Sequence, residues 1–222
     1  MTAKKLDRTE IEMKVKELGS FYHNIQLPFG IQTAPEQNTP ARGANYSALC
    51  NCLPNDLTGK AVLDIGCNAG AFSIEAKRRG AARVVGIDAN PKFIDQARFC
   101  ADILNLEIEY QVADVYDFLR NSPPFDVVIF VGVLYHLPDP IGIAKLIRKA
   151  TKEICILETV GVAPQFREFE EGLIQLPRPK ITHSGTVWIN REGLRHIFED
   201  LAKFSNVKIL FDGGRIGALL TA

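Results

Sequence analysis

A chain of 222 residues, 46% hydrophobic and with a formal net charge of zero, is sized for one α/β domain with or without an extension. It is long enough to bury a core without disulfide or metal staples. The zero balance lacks the basic excess that marks most nucleic-acid binders, and no run of about 18 apolar residues marks a membrane span.

The charged start, Met1 to Glu10, has no signal-peptide core. Five cysteines, an odd number scattered through apolar segments, point to reduced thiols and a cytoplasmic protein. Cys50 and Cys52 form the only close pair, a poor zinc spacing, so no metal is expected.

Along the chain, Thr9-Glu10-Ile11-Glu12 fits a capping box, and Ile11, Val15 and Leu18 share a helical face. Phe21 to Gly43, rich in Pro, Gly and Gln, reads as loop, and Ala44 to Leu53 as a short helix. Residues 1–54 are therefore expected to form a helical and loop extension, and 55–222 the main domain.

From Ala61 strands and helices alternate. Strands are predicted at 61–65, 83–87, 107–112, 126–131 and 153–158, with helices at 71–79, from Pro91, at 115–120 and at 139–150. An insertion at 161–185 is long for a connection and suits a lid. Asn190 caps a last helix, and two strands around Gly213-Gly214 end the chain. The expected fold is a Rossmann-like, mostly parallel seven-stranded sheet, with one antiparallel edge-type strand and helices on both faces.

Ligands of such sheets bind beyond the carboxyl ends of the strands. The first strand leads into Asp64-Ile65-Gly66-Cys67-Asn68-Ala69-Gly70, and the second ends in Asp88, 22 residues after Gly66. Glycines let the loop approach a ligand closely, and an acid at the second strand end accepts ribose hydroxyls. A dinucleotide fingerprint would need a third glycine, and a phosphate loop a Gly-Lys-Ser/Thr ending; neither is present. Asp64 would repel a pyrophosphate but attract an amino-acid ammonium. Either Asp64 or Asp114 alone reads equally well as a helix cap.

Val62 to Gly70, with Val84-Val-Gly-Ile-Asp88, resembles the first two motifs of class I S-adenosylmethionine-dependent methyltransferases over about residues 55–222. Asn68 stands where many members have glycine, but asparagine tolerates left-handed backbone. The resemblance implies that Asp64, Gly66, Cys67, Asn68 and Gly70 line the methionine part and Asp88 the ribose. Ala89 to Phe93 would border the adenine, with Ala113, Asp114 and Val115 at its amino group. Gly132 would contact the methionine through its backbone, with His136 nearby.

Gly132-Val-Leu-Tyr-His136, Ile156-Leu-Glu-Thr159, Val187-Trp-Ile-Asn190 and Phe21 to Thr33 resemble the tRNA wobble-uridine carboxymethyltransferases and their shorter relatives, which use carboxy-S-adenosylmethionine. Those tRNA enzymes are longer and carry basic and tryptophan residues upstream, whereas this chain has Trp188 alone and Arg42 as a candidate cation. Ordinary S-adenosylmethionine and a small-molecule acceptor, methylated on oxygen, are therefore the favoured reading. The rivals are tRNA modification and a non-catalytic cofactor-binding protein.

Tyr135, His136 and His23 are the candidate catalytic residues, His136 or His23 as general base. Tyr22, Glu158 and Trp188 are the candidate substrate contacts. Packing or capping is the alternative reading for each.

Overall fold

The computed structural model describes residues 6–37, 40–161 and 189–222, with the backbone alone at 40–44. The part of the predicted insertion from residue 162 onward and Trp188 lie outside the described residues, as does the side chain of Arg42.

Among the described residues seven strands form one sheet: β1 Ala61–Ile65, β2 Arg83–Asp88, β3 Glu109–Val112, β4 Phe125–Val131, β5 Thr151–Val160, β6 Asn206–Asp212 and β7 Arg215–Thr221. Their order is β3-β2-β1-β4-β5-β7-β6. β1 to β5 pair in parallel, and β7 runs antiparallel to both β5 and β6. The one antiparallel strand thus belongs to the edge hairpin, with β6 outermost. The order reverses at β1, where β2 and β4 lie on either side, and this opens the crevice in which ligands of such sheets bind.

The helices are α1 Arg8–Glu17, α2 Pro40–Cys50, α3 Ala71–Arg78, α4 Pro91–Ile103, α5 Val115–Asn121, α6 Pro140–Ala150 and α7 Arg191–Arg195, which runs on into a π-helical turn, His196–Leu201. Successive strand residues point to opposite faces, and two cores result. Leu63, Ile65, Val85, Val128 and Phe130 pack with α5, α6 and α7 on one face. Val62, Val84, Val127 and Ile129 pack with α2 and α3 on the other.

The N-terminal segment differs from its predicted form in two respects. The capping box of α1 is built by Asp7, whose carboxylate accepts from the Glu10 N–H while the Glu10 side chain returns to the Asp7 N–H. Thr9 falls inside the helix; a carboxylate at position 7 with Glu at N3 satisfies two orphan donors there. The second helix begins at Pro40, four residues before its predicted start, because proline suits the first turn.

The stretch between the two helices is irregular but tied down. Ile11, Phe21, Ile25, Leu27 and Ile31 pack against Ala71 and Ile74 of α3 and Cys100 of α4. Gln96, fully buried on α4, donates its amide to the carbonyls of Leu18 and Ser20 at 3.1 and 3.0 Å. Thr33 Oγ1 accepts from the Ile25 N–H and donates to the His23 carbonyl, both at 2.8 Å. These bonds seat Tyr22, His23 and Asn24 beside the carboxyl ends of the strands.

Candidate functional site

A cavity of about 680 Å³ opens at the carboxyl ends of the strands. That is ample for a nucleoside-sized ligand and a second small molecule. Its floor comes from the sequence-predicted loop. Gly66, Asn68 and Gly70 all adopt left-handed backbone, with φ of +68°, +49° and +84°. Asparagine is thus sterically competent where glycine is commoner. An added Cβ at Gly66 would lie 2.3 Å from Cγ2 of Val133, so the β1 and β4 loops meet there in a space only glycine leaves open.

Asp64 is 2% exposed, and its Oδ2 accepts from the N–H (3.0 Å) and hydroxyl (2.6 Å) of Ser73. Burial nevertheless raises its pKa from 3.8 to about 7, against the lowering effect of those two bonds, with nearby Asp88 adding to the rise. A buried carboxylate in this state is poised to accept a cationic partner.

Asp88 Oδ2 accepts from the Asn68 N–H at 3.0 Å and Oδ1 from the Asn90 N–H at 2.9 Å, so one carboxylate ties the β1 loop to the start of α4. Asp114 caps α5 through Oδ1, at 2.9 Å from the Tyr116 N–H and 3.1 Å from the Asp117 N–H. It is therefore a helix cap and a cavity wall at once.

Of the predicted cofactor residues, Asp64, Gly66, Asn68, Asp88, Ala89, Phe93, Ala113, Asp114, Val115, Gly132 and His136 line the cavity. Cys67 and Gly70 do not. Cys67 is buried beneath the loop toward Gly86 of β2, and Gly70 is the N-cap of α3 facing the Tyr110 hydroxyl. Among the predicted catalytic and substrate residues, Tyr22, His23, Tyr135, His136 and Glu158 all reach the cavity.

The rim carries two groups of rings. His23 stands edge-on to Tyr22 (5.3 Å) and Phe72 (6.4 Å), and Tyr46 of α2 leans on Phe72 at 4.9 Å. Opposite, the rings of Tyr135 and His136 lie 4.0 Å apart.

Arg215, at the start of β7, was missed from sequence. Its guanidinium pairs with both carboxylate oxygens of Glu158, Nη2 to Oε2 at 2.8 Å and Nε to Oε1, and lies 5.4 Å from the Tyr135 ring centre. Glu158 is 3% exposed. No local pattern announces this pair, since 57 residues separate its members and only the β5–β7 register joins them. Tyr46 was missed as well; its position three residues before buried Leu49 was the available signal.

A doubly wound sheet with acids at or just after the ends of three neighbouring strands is a Rossmann-like architecture, and solved structures share the fold. The N-terminal domain of EvdMO1, crystallised in the presence of SAH and D-fucose, has a TM-score of 0.72 at 20% identity and covers 100% of this chain and 99% of that one. Magnesium protoporphyrin IX methyltransferase from Synechocystis PCC 6803 has a TM-score of 0.60 at 18% identity, covering 100% and 98%.

Residues 62–153 match the family model described as a methyltransferase domain. A ubiquinone biosynthesis O-methyltransferase of Neisseria meningitidis is 40% identical over 99 residues, 44% of this chain and 42% of that protein. A tRNA U34 carboxymethyltransferase of Campylobacter jejuni is 34% identical over 91 residues, 41% of this chain and 31% of that protein. The matches thus span less than half the length of these curated relatives.

Proposed function

We propose that this protein is an S-adenosylmethionine-dependent methyltransferase acting on a hydroxyl of a small-molecule acceptor. The observation that carries the reading is the convergence of Asp64, Asp88 and Asp114 on one cavity whose far rim holds Tyr135 and His136. The donor set fits a ligand that is cationic at one end and a nucleoside at the other. Asp64 would hold the ammonium, Asp88 the ribose hydroxyls and Asp114 the adenine amino group.

When bound, that cofactor supplies a methyl group already activated on a sulfonium. The chain has to position the acceptor oxygen about 3 Å from that carbon and remove its proton. His136 stands at the rim, and partial burial, with the Arg215 charge adding to it, holds its pKa below the ordinary value, which favours the neutral form that accepts a proton. His23, from the N-terminal segment, also lines the cavity and is a second candidate base. Tyr22, His23 and Tyr46 line the cavity from the N-terminal part of the chain and act as a cover that limits water. Among the described residues no helix is long and apolar enough to cross a membrane.

Arg215 favours a second reading, carboxymethyl transfer to a tRNA wobble uridine, because a carboxylated cofactor needs a cation near the transferred group. Glu158 already occupies that guanidinium, which favours the uncharged methyl. Incubation with labelled S-adenosylmethionine should label hydroxylated small molecules and leave bulk tRNA unlabelled. Tighter binding of carboxy-S-adenosylmethionine together with tRNA labelling would reverse the order of the two readings.

Asp64 supplies a separate test. Its folded pKa is raised, so it holds a proton in the folded chain that an unfolded chain releases near pH 4. Its contribution to stability is full below pH 4 and is lost as pH rises through about 7. An ammonium beside it would drive the proton off. Calorimetry at pH 6.5 in buffers of different ionisation enthalpy should show release of roughly half a proton or more on cofactor binding. Asp64→Asn should abolish the release; equal release by that variant would rule Asp64 out as its source.

A further inference from the structure

The rim opposite the three aspartates is built as a chain of contacts reaching back into the sheet. Glu158 lies on β5, buried, with its backbone carbonyl accepting from the Gly132 N–H at 3.0 Å. Its side chain holds Arg215 of β7 in a two-point grip, a planar geometry that fixes the guanidinium as lysine could not be fixed. The guanidinium sits over the ring of Tyr135, and that ring lies 4.0 Å from His136. The short helical turn Leu134–His136 makes no side-chain cap of its own, so its rings depend on their neighbours for orientation.

We infer that the Glu158–Arg215 pair is a positioning device for the Tyr135–His136 end of the site, setting the angle of the two rings and placing a fixed positive charge beside the imidazole. The inference deepens the methyltransferase reading above: the pair acts through Tyr135 and His136 and does not itself meet the reacting atoms. Its use is to keep His136 correctly aimed and to add to the partial burial that already disfavours the protonated ring. The Arg215 charge opposes protonation of His136, and Glu158 moderates that charge. The other ionisable groups lining the cavity lie on the remaining walls: Asp64, Asp88 and Asp114 at the strand ends, Tyr22 and His23 on the N-terminal segment, and Tyr46 on α2.

The two members of the pair should therefore move His136 in opposite directions. Arg215→Met removes the positive charge and leaves a buried carboxylate, so the His136 midpoint in an NMR titration of the full chain rises. Glu158→Gln leaves the guanidinium uncompensated, so the midpoint falls. Arg215→Lys keeps the charge but loses the fork; it should leave the midpoint near the wild type while lowering kcat/KM by about tenfold through misaligned rings. In the pH–rate profile the acid limb of Arg215→Met should shift to higher pH. His136 titrating alike in all three variants, or shifting the same way in Arg215→Met and Glu158→Gln, would overturn the inference. Because the titration needs no turnover, it reads the pair even if methyl transfer is not the reaction. Should Arg215→Met not fold, the double variant Arg215→Met/Glu158→Gln, which buries no lone charge, must still raise the midpoint.

Discussion

Asp88→Ala is expected to weaken S-adenosylmethionine binding by roughly two orders of magnitude, as measured by calorimetry. Two effects add. The variant loses the carboxylate proposed to accept the two ribose hydroxyls, and hydrogen bonds to a charged group are each worth about 1.5–3 kcal/mol. It also releases the Asn68 N–H, which Asp88 holds at 3.0 Å, and the Asn90 N–H at 2.9 Å. The Asn68 tie holds the β1 loop in its left-handed form and the Asn90 tie fixes the start of α4, so the loop becomes less ordered before any ligand arrives. Asp88→Asn keeps an acceptor oxygen but no charge and should fall between the two. Unchanged affinity in Asp88→Ala, with the fold intact by circular dichroism, would remove the ribose assignment.

The second large effect is at Gly66, and it concerns stability first. Its φ of +68° costs any residue with a Cβ about 1–2 kcal/mol. The Cβ of an alanine would lie 2.3 Å from Val133 Cγ2, far inside contact distance. Forcing such an overlap costs about 1–3 kcal/mol more as the β4 loop shifts. Gly66→Ala should therefore lose about 2–5 kcal/mol, a fall in melting temperature of roughly 5–15 °C for a chain of this size. Adding Val133→Ala should restore the steric part and leave the backbone part, so the double variant melts between Gly66→Ala and the wild type. A melting temperature of Gly66→Ala equal to the wild type would show that the two loops yield without strain.

Both predictions concern residues legible in the sequence, and the reason is local. A strand followed by a tight glycine-rich turn, then a second strand ending in an acid, writes its geometry into consecutive residues. β1 occupies the span predicted for it, Ala61–Ile65, and α3, α4 and α6 lie within a residue or two of theirs. Asp64, Asp88 and Asp114 could be read because strand alternation and the crossover rule place strand ends together without knowledge of side-chain packing. Cys67 and Gly70 were assigned to the ligand because they share that loop. The fold turns Cys67 under the floor and uses Gly70 to start α3.

The sequence by itself determined the positions of the strands, their mostly parallel sheet and the acidic edge of the cavity, because each rests on periodicity or on residues adjacent in the chain. Only the tertiary structure decided which partners hold the rim residues in place. Arg215 meets Glu158 through antiparallel pairing of β7 with β5, and Tyr46 meets Phe72 through the docking of α2 on α3. Such contacts depend on the register and packing of segments far apart in the chain, which one residue's local pattern does not encode.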